Sequence, residues 1–303
     1  MSSCSNRLSP YQDLLVGEPA TETSPPRGRE VQVTYLGVNG YLIRSATTTL
    51  MVDPYFTRIP LRSTALNAPV SPDYNAINLA LTSAATPRRI DGYLVTHAHF
   101  DHLFDVPSIQ KRYGGRILTS PTGSHLCRAM GVRHGNISAK LPGSTSRIGD
   151  AKIHVIPARH DKVLGRIPYP GLIDAPLDSP PVRPRDWRLG TPLAYVIELE
   201  GKRIYVESGG MGEHVPKTGS VDLAIIGVAV AGSQKRYPDA VRALSPKWVL
   251  PSHQDDFFVP VGEGFQFSAL SNFPRIKATH EGADLPGKLI LMDYFTTWSL
   301  PAH

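Results

Sequence analysis

The run Ile90-Asp91-Gly92-Tyr93-Leu94-Val95 leads directly into Thr96-His97-Ala98-His99-Phe100-Asp101-His102, and from there into Leu103–Tyr113. The first six residues read as a buried strand and the last segment has helical spacing, so the polar cluster occupies the turn between them. Imidazole and carboxylate are ligands of zinc and related first-row metals, and a loop at a strand end lets such side chains converge. Side chains two apart on an extended segment point the same way, so His97 and His99 share one ion. Asp101 and His102 follow where the chain turns into the helix, which directs them to a neighbouring ion. The plain alternative is a surface histidine cluster capping the helix.

Outward from this turn, alternating apolar segments predict strands at 31–36, 41–44 and 49–52 before it. Beyond it they predict strands at 116–119, 152–157, 193–199, 203–206, 223–228, 248–251 and 288–292. Helical spacing marks 75–81, 123–130 and 237–244. The hairpin Gly40–Asp53 is echoed by Ala194–Glu207, each second strand ending in an acid. The echo predicts two related halves, each a sheet covered by helices. Two single histidines stand at predicted strand ends: His160 in Pro157-Ala158-Arg159-His160-Asp161, and His253 in Pro251-Ser252-His253. Both are candidate ligands.

Composition narrows the class. With 41% hydrophobic and 19% charged residues the chain is too apolar to be disordered, and two cysteines cannot staple a disulfide scaffold. No apolar run reaches the length of a membrane helix. The net charge of +6 comes without a Lys/Arg block, so no nucleic-acid partner is expected and a small-molecule substrate is. Residues 1–30 read as a flexible tail and 31–303 as one domain. A cytoplasmic protein is expected; the start Ser2-Ser3-Cys4-Ser5-Asn6 leaves open a trimmed lipoprotein at the cell envelope.

The complete H-x-H-x-D-H motif at 97–102 resembles that of the metallo-β-lactamase superfamily, and the resemblance runs from about residue 31 to 295. The segments around Asp222, Pro238 and Pro251–Phe257 are similar to the group of ascorbate-6-phosphate lactonase-like and N-acylphosphatidylethanolamine phospholipase D-like hydrolases. The resemblance implies an α/β fold, an αββα sandwich of two mixed β-sheets flanked by helices. It implies two divalent ions, zinc first and manganese or iron as alternatives: one on His97, His99 and His160, the other on Asp101, His102 and His253. Asp101 then serves as ligand and proton acceptor, and a metal-activated water attacks an ester, lactone or amide.

This family commonly carries Gly-Asp-Thr-Gly where the chain reads Val206-Glu207-Ser208-Gly209-Gly210. Either Glu207 takes the role of the family's bridging aspartate, or Gly209 stands in its register, no carboxylate bridges and the second site is weak. The proline-rich segment 164–192 follows His160 and is expected to wall the pocket, with Tyr169 and Trp187 as substrate contacts. His214 is a further candidate there. Arg58, Arg62, Arg88 and Arg89 keep open a phosphodiesterase or phospholipase D-like activity on an anionic substrate. A non-catalytic metal-binding sensor is the alternative from another class.

Overall fold

Alternate residues of one strand face different cores. On β3 (Gly40–Arg44) Tyr41 and Ile43 join one apolar cluster while Leu42 joins another. On β4 (Thr49–Val52) Leu50 and Val52 part from Met51 in the same way. A sheet buried on both faces needs a layer on each side, and the computed structural model, which describes residues 7–21, 25–209 and 219–301, provides both. The first sheet orders β1 (Glu18–Pro19), β15 (Thr296–Ser299), β2 (Gln32–Gly37), β3, β4, β5 (Gly92–Leu94), β6 (Arg116–Thr119) and β7 (Ile137–Ala139). The second orders β14 (Lys288–Leu289), β13 (Trp248–Ser252), β12 (Leu223–Gly227), β11 (Lys202–Val206), β10 (Leu193–Leu199), β9 (Ala151–Pro157) and β8 (Thr145–Ile148).

The two sheets share the larger cluster, in which Tyr41 and Val52 meet Val155 and Ile197. The smaller cluster lies on the outer face of the first sheet, under α2 (Tyr74–Ser83), α4 (Val106–Tyr113) and α5 (Pro121–Ala129). The outer face of the second is covered by α6 (Ala231–Leu244) and α7 (Phe273–Gly282), through Tyr237, Val241, Phe273 and Ile276. The result is an αββα sandwich of two mixed sheets. No helix among the described residues is long and apolar enough to cross a membrane.

The repeated hairpins are both present. β3–β4 and β10–β11 are antiparallel, and each second strand then pairs in parallel with the next strand, β5 or β12. The backbone N–H of Asp53 bonds Leu94 O, and that of Glu207 bonds Ile225 O, so the two acids occupy equivalent backbone positions. Three expectations change. The helix expected over 103–113 is broken into α3 (Phe100–Leu103) and α4. Asp105 sits at the break, its carboxylate accepting from Phe56 N, Thr57 N and Thr57 Oγ1. Residues 8–19, assigned above to a flexible tail, instead pack on the sandwich: Leu8 and Leu14 are buried, and β1 pairs with β15. Finally β7, β8, α7 and β15 add to the predicted elements.

Candidate metal centre

Every residue of the centre follows a strand, either directly or across a short helical turn. His97 and His99 lie on the loop after β5, and Asp101 and His102 on α3, whose short turn swings them back toward the sheet. His160 follows β9 and His253 follows β13. The first sheet thus presents four of these groups and the second two.

Nitrogens of His97, His99 and His160 gather within 4.8 Å of one another, and so do donor atoms of His97, Asp101 and His102. His97 Nε2 and His99 Nδ1 are 3.0 Å apart. Asp101 Oδ2 lies 3.1 Å from His253 Nε2 and 3.3 Å from His102 Nε2. All of the centre is buried except His160, which is partly exposed.

Hydrogen bonds fix the rings from behind. His102 Nδ1 donates to Asp53 Oδ2 at 2.8 Å, and His160 Nδ1 donates to the Asp161 carbonyl at 2.8 Å. His97 Nδ1 lies 3.2 Å from Ser208 Oγ. Such partners set tautomer and orientation and turn the other nitrogen toward the centre. Asp53 is itself held by Asn39 Nδ2 at 2.9 Å, Thr96 N at 2.8 Å and Thr96 Oγ1 at 2.5 Å. The backbone stores strain here as well. Asp53 and His253 have φ of 37° and 54°, a region that non-glycine residues occupy at a cost.

The donor set suits a transition metal. Among the described residues His99 Nε2 is buried without a hydrogen-bond partner, a costly state for an imidazole nitrogen unless another partner takes it. Burial, reinforced by the neighbouring rings, holds His97 well below the ordinary histidine range. Burial and then His160 push His99 down to about 3. Both are therefore neutral at pH 7, the coordinating form. Burial also lowers His102, but Asp101 and Asp53 outweigh it and bring that ring up to about 10.

The other expected site residues divide. Tyr169 lines the cleft beside His99, ring centroids 6.2 Å apart. Trp187 does not reach it: fully buried, it packs on Phe104 at 5.1 Å in the outer core. Glu207 belongs to neither donor group; it is fully buried and its Oε1 accepts the Gly227 N–H at 3.1 Å. At Gly209 a Cβ would lie 2.6 Å from Arg159 O and 3.2 Å from His160 Cα, so the backbone before His160 fills the space a side chain would need. His214 and the Cys4 segment lie outside the described residues.

Of the four arginines considered for an anionic substrate, Arg58 is buried against Asp255 at 2.9 Å and Arg89 lies 3.3 Å from Asp91. Arg62 and Arg88 are exposed, and none of the four lines the cleft. Sequence reasoning missed the Arg58–Asp255 pair and the cleft residues Phe257 and Phe258. It noted the acid at Asp53 but not the ring that this acid holds. Only the polar context around Asp255 and the Phe-Phe pair signalled the first two.

A family model described as Beta-lactamase superfamily domain matches residues 48–255. A UPF0173 metal-dependent hydrolase of Pelotomaculum thermopropionicum is 28% identical over 231 residues, covering 74% of this chain and 84% of the relative. One from Thermus thermophilus is 26% identical over 272 residues, covering 87% and 100%. Among solved structures, the metallo hydrolase Igni18 of Ignicoccus hospitalis superposes with a TM-score of 0.59 at 17% identity, covering 90% of this chain and all 100% of the other. The metallo-beta-lactamase fold protein YhfI of Bacillus subtilis gives 0.54 at 12% identity, covering 88% and 99%. These two likenesses are of fold.

Proposed function

Since this chain belongs to the beta-lactamase superfamily, we propose that it is a metal-dependent hydrolase whose centre is built on His97, His99 and His160. The observation that carries the reading is that trio: three neutral imidazoles within 4.8 Å of one another, beside a cleft of about 430 Å³. When bound there, a divalent ion, zinc in our reading, brings the pKa of its water from ~15.7 to about 7 and polarises a carbonyl oxygen. The bond attacked is an ester, lactone or amide.

The residues divide the remaining work. Asp101 accepts the proton of the attacking water at Oδ2, where His253 Nε2 stands 3.1 Å away to steady the carboxylate. His102, oriented by Asp53, keeps Nε2 toward Asp101. Tyr169 and Phe257 wall the cleft against bulk water. Asp101, His102 and His253 are the residues that would hold a second ion. Glu207 is engaged with Gly227 N, and Gly209 has no space for a side chain, so we place the second ion as the weaker of the two.

The test is metal counting on protein purified without chelator, with ester, lactone, amide and bis-phosphodiester substrates assayed on the same preparation. His99→Ala is expected to lose the tighter ion and most turnover, because a four-coordinate site cannot spare a ligand. Full metal content and full turnover in that variant would overturn the assignment.

A further inference from the structure

The cleft beside the trio imposes a chemical selection of its own. Its inner wall is aromatic: Phe257 lies against Phe258 with ring centroids 4.2 Å apart and planes tilted by 37°, and Phe100 lies 6.4 Å from Phe257 and 6.2 Å from Tyr169. At its mouth Leu61, Leu164 and Leu270 are 60%, 92% and 47% exposed, side chains that water would otherwise expel. The charged lining is entirely acidic among the described residues: Asp101, Asp161, Asp255 and Asp256, with no lysine or arginine. Two of these acids already hold a cation, Asp161 with Arg236 at 2.7 Å and Asp255 with Arg58 at 2.9 Å. The Arg58 guanidinium is 1% exposed and also donates to the Asp256 carbonyl, so it has no free face for a ligand.

An anionic tail in this cleft would lose its water with no lysine or arginine among the described lining residues to receive it, and would lie near the Asp256 carboxylate. Both effects reject it. An uncharged chain gains at every methylene it buries. We propose that the substrate is an uncharged ester or amide whose apolar chain lies along Phe257, Phe258 and Leu270. The proposal deepens the hydrolase reading and rests on it for the bond that is cut.

Two measurements keep the readings apart. In the first, the metal-loaded enzyme is given p-nitrophenyl butyrate, hexanoate and octanoate, and the mono-p-nitrophenyl ester of adipate, a six-carbon chain ending in carboxylate. We expect kcat/KM to rise about fourfold per methylene until the cleft is filled. Hexanoate should exceed adipate at least tenfold. In the second, calorimetry follows N-butyl-, N-hexyl- and N-octylacetamide, which are uncharged, and affinity should climb with the same slope.

A rising amide series with no turnover of any ester or amide would sustain the apolar cleft and remove the hydrolase reading. Ester turnover with a flat chain-length profile, or with adipate preferred, would overturn the apolar cleft and leave the hydrolase reading standing. A flat amide series would overturn it as well. Leu270→Lys, at an exposed position on the rim, should reduce the hexanoate-to-adipate ratio at least threefold. An unchanged ratio would place the chain elsewhere and overturn the proposal.

Discussion

Asp53 shows how much a residue that is not proposed as a ligand contributes to the centre. Its Oδ2 fixes His102, and its four donors keep it in a strained backbone conformation. Asp53→Asn removes the charge while keeping the shape, and the affinity for metal is expected to fall roughly 10–100-fold with the fold intact. Chelator-competition titration beside circular dichroism checks this; undiminished affinity would show that His102 needs no such support. Asp255 is the counterpart for stability. Burial raises its pKa, but Arg58, Tyr294 and Tyr35 lower it further, below the usual carboxylate range. A depressed folded pKa gives stabilisation that is complete above the unfolded value, about 3.9, and is lost as pH falls through the folded one. Urea midpoints should therefore drop below about pH 4. Asp255→Asn leaves Arg58 charged and buried, so it should cost about 3–5 kcal/mol at pH 7 and flatten that acid slope. The convergence of the histidines was legible because each stands just past a predicted strand, where neighbouring strands bring such side chains together. Trp187 misled for a physical reason: a large apolar side chain in a proline-rich loop serves a cleft or a core equally well, and only tertiary packing on Phe104 decides.

At the scale of elements, the loop from β11 runs against the segment that carries His160, with Gly209 as the point of contact. Gly209→Ala must push the Arg159 carbonyl away. It is expected to destabilise by ~1–3 kcal/mol and to weaken the first metal site, read by denaturant titration and metal counting together. A stable variant with full metal would show that the contact is slack. The segment 164–192 divides into two parts. Leu164, Pro168 and Tyr169 line the cleft, whereas residues 174–180 are exposed. Tyr169→Ala should lower kcat/KM about tenfold, ~1.4 kcal/mol, with metal content unchanged. Deleting 174–180 should alter neither quantity, and a changed substrate preference in that deletion would make the whole segment a lid. The longer strands were legible because buried sheets impose an alternation that sequence displays. β7 is short, and α7 opens on Phe273-Pro274 with little periodicity, so these rest on tertiary contacts instead.

In the molecule as a whole, the proposed ligands of the first ion come from both sheets, so metal binding is linked to keeping the halves together. At a free metal concentration of 100 times Kd the native state should gain about 2.7 kcal/mol, and thermal melts should rise by several degrees as zinc is added. Melts insensitive to both zinc and chelator would show that no such bridge forms. The sandwich was legible in outline from two echoing hairpins, while the route by which the chain closes was not. That route places β15 between β1 and β2, where Thr297 Oγ1 meets Thr34 Oγ1 at 2.7 Å across 263 residues of sequence. On a translating ribosome β2 therefore waits for a neighbour made about 13–50 s later, at ~5–20 residues per second. Throughout that interval a nascent chain exposes an unpaired strand edge, the kind of surface that recruits other strands. A polypeptide ending before Thr296 keeps that edge permanently, so truncated products should partition into aggregates and engage holdase chaperones. A chain that includes β15, released with that strand in place, should not.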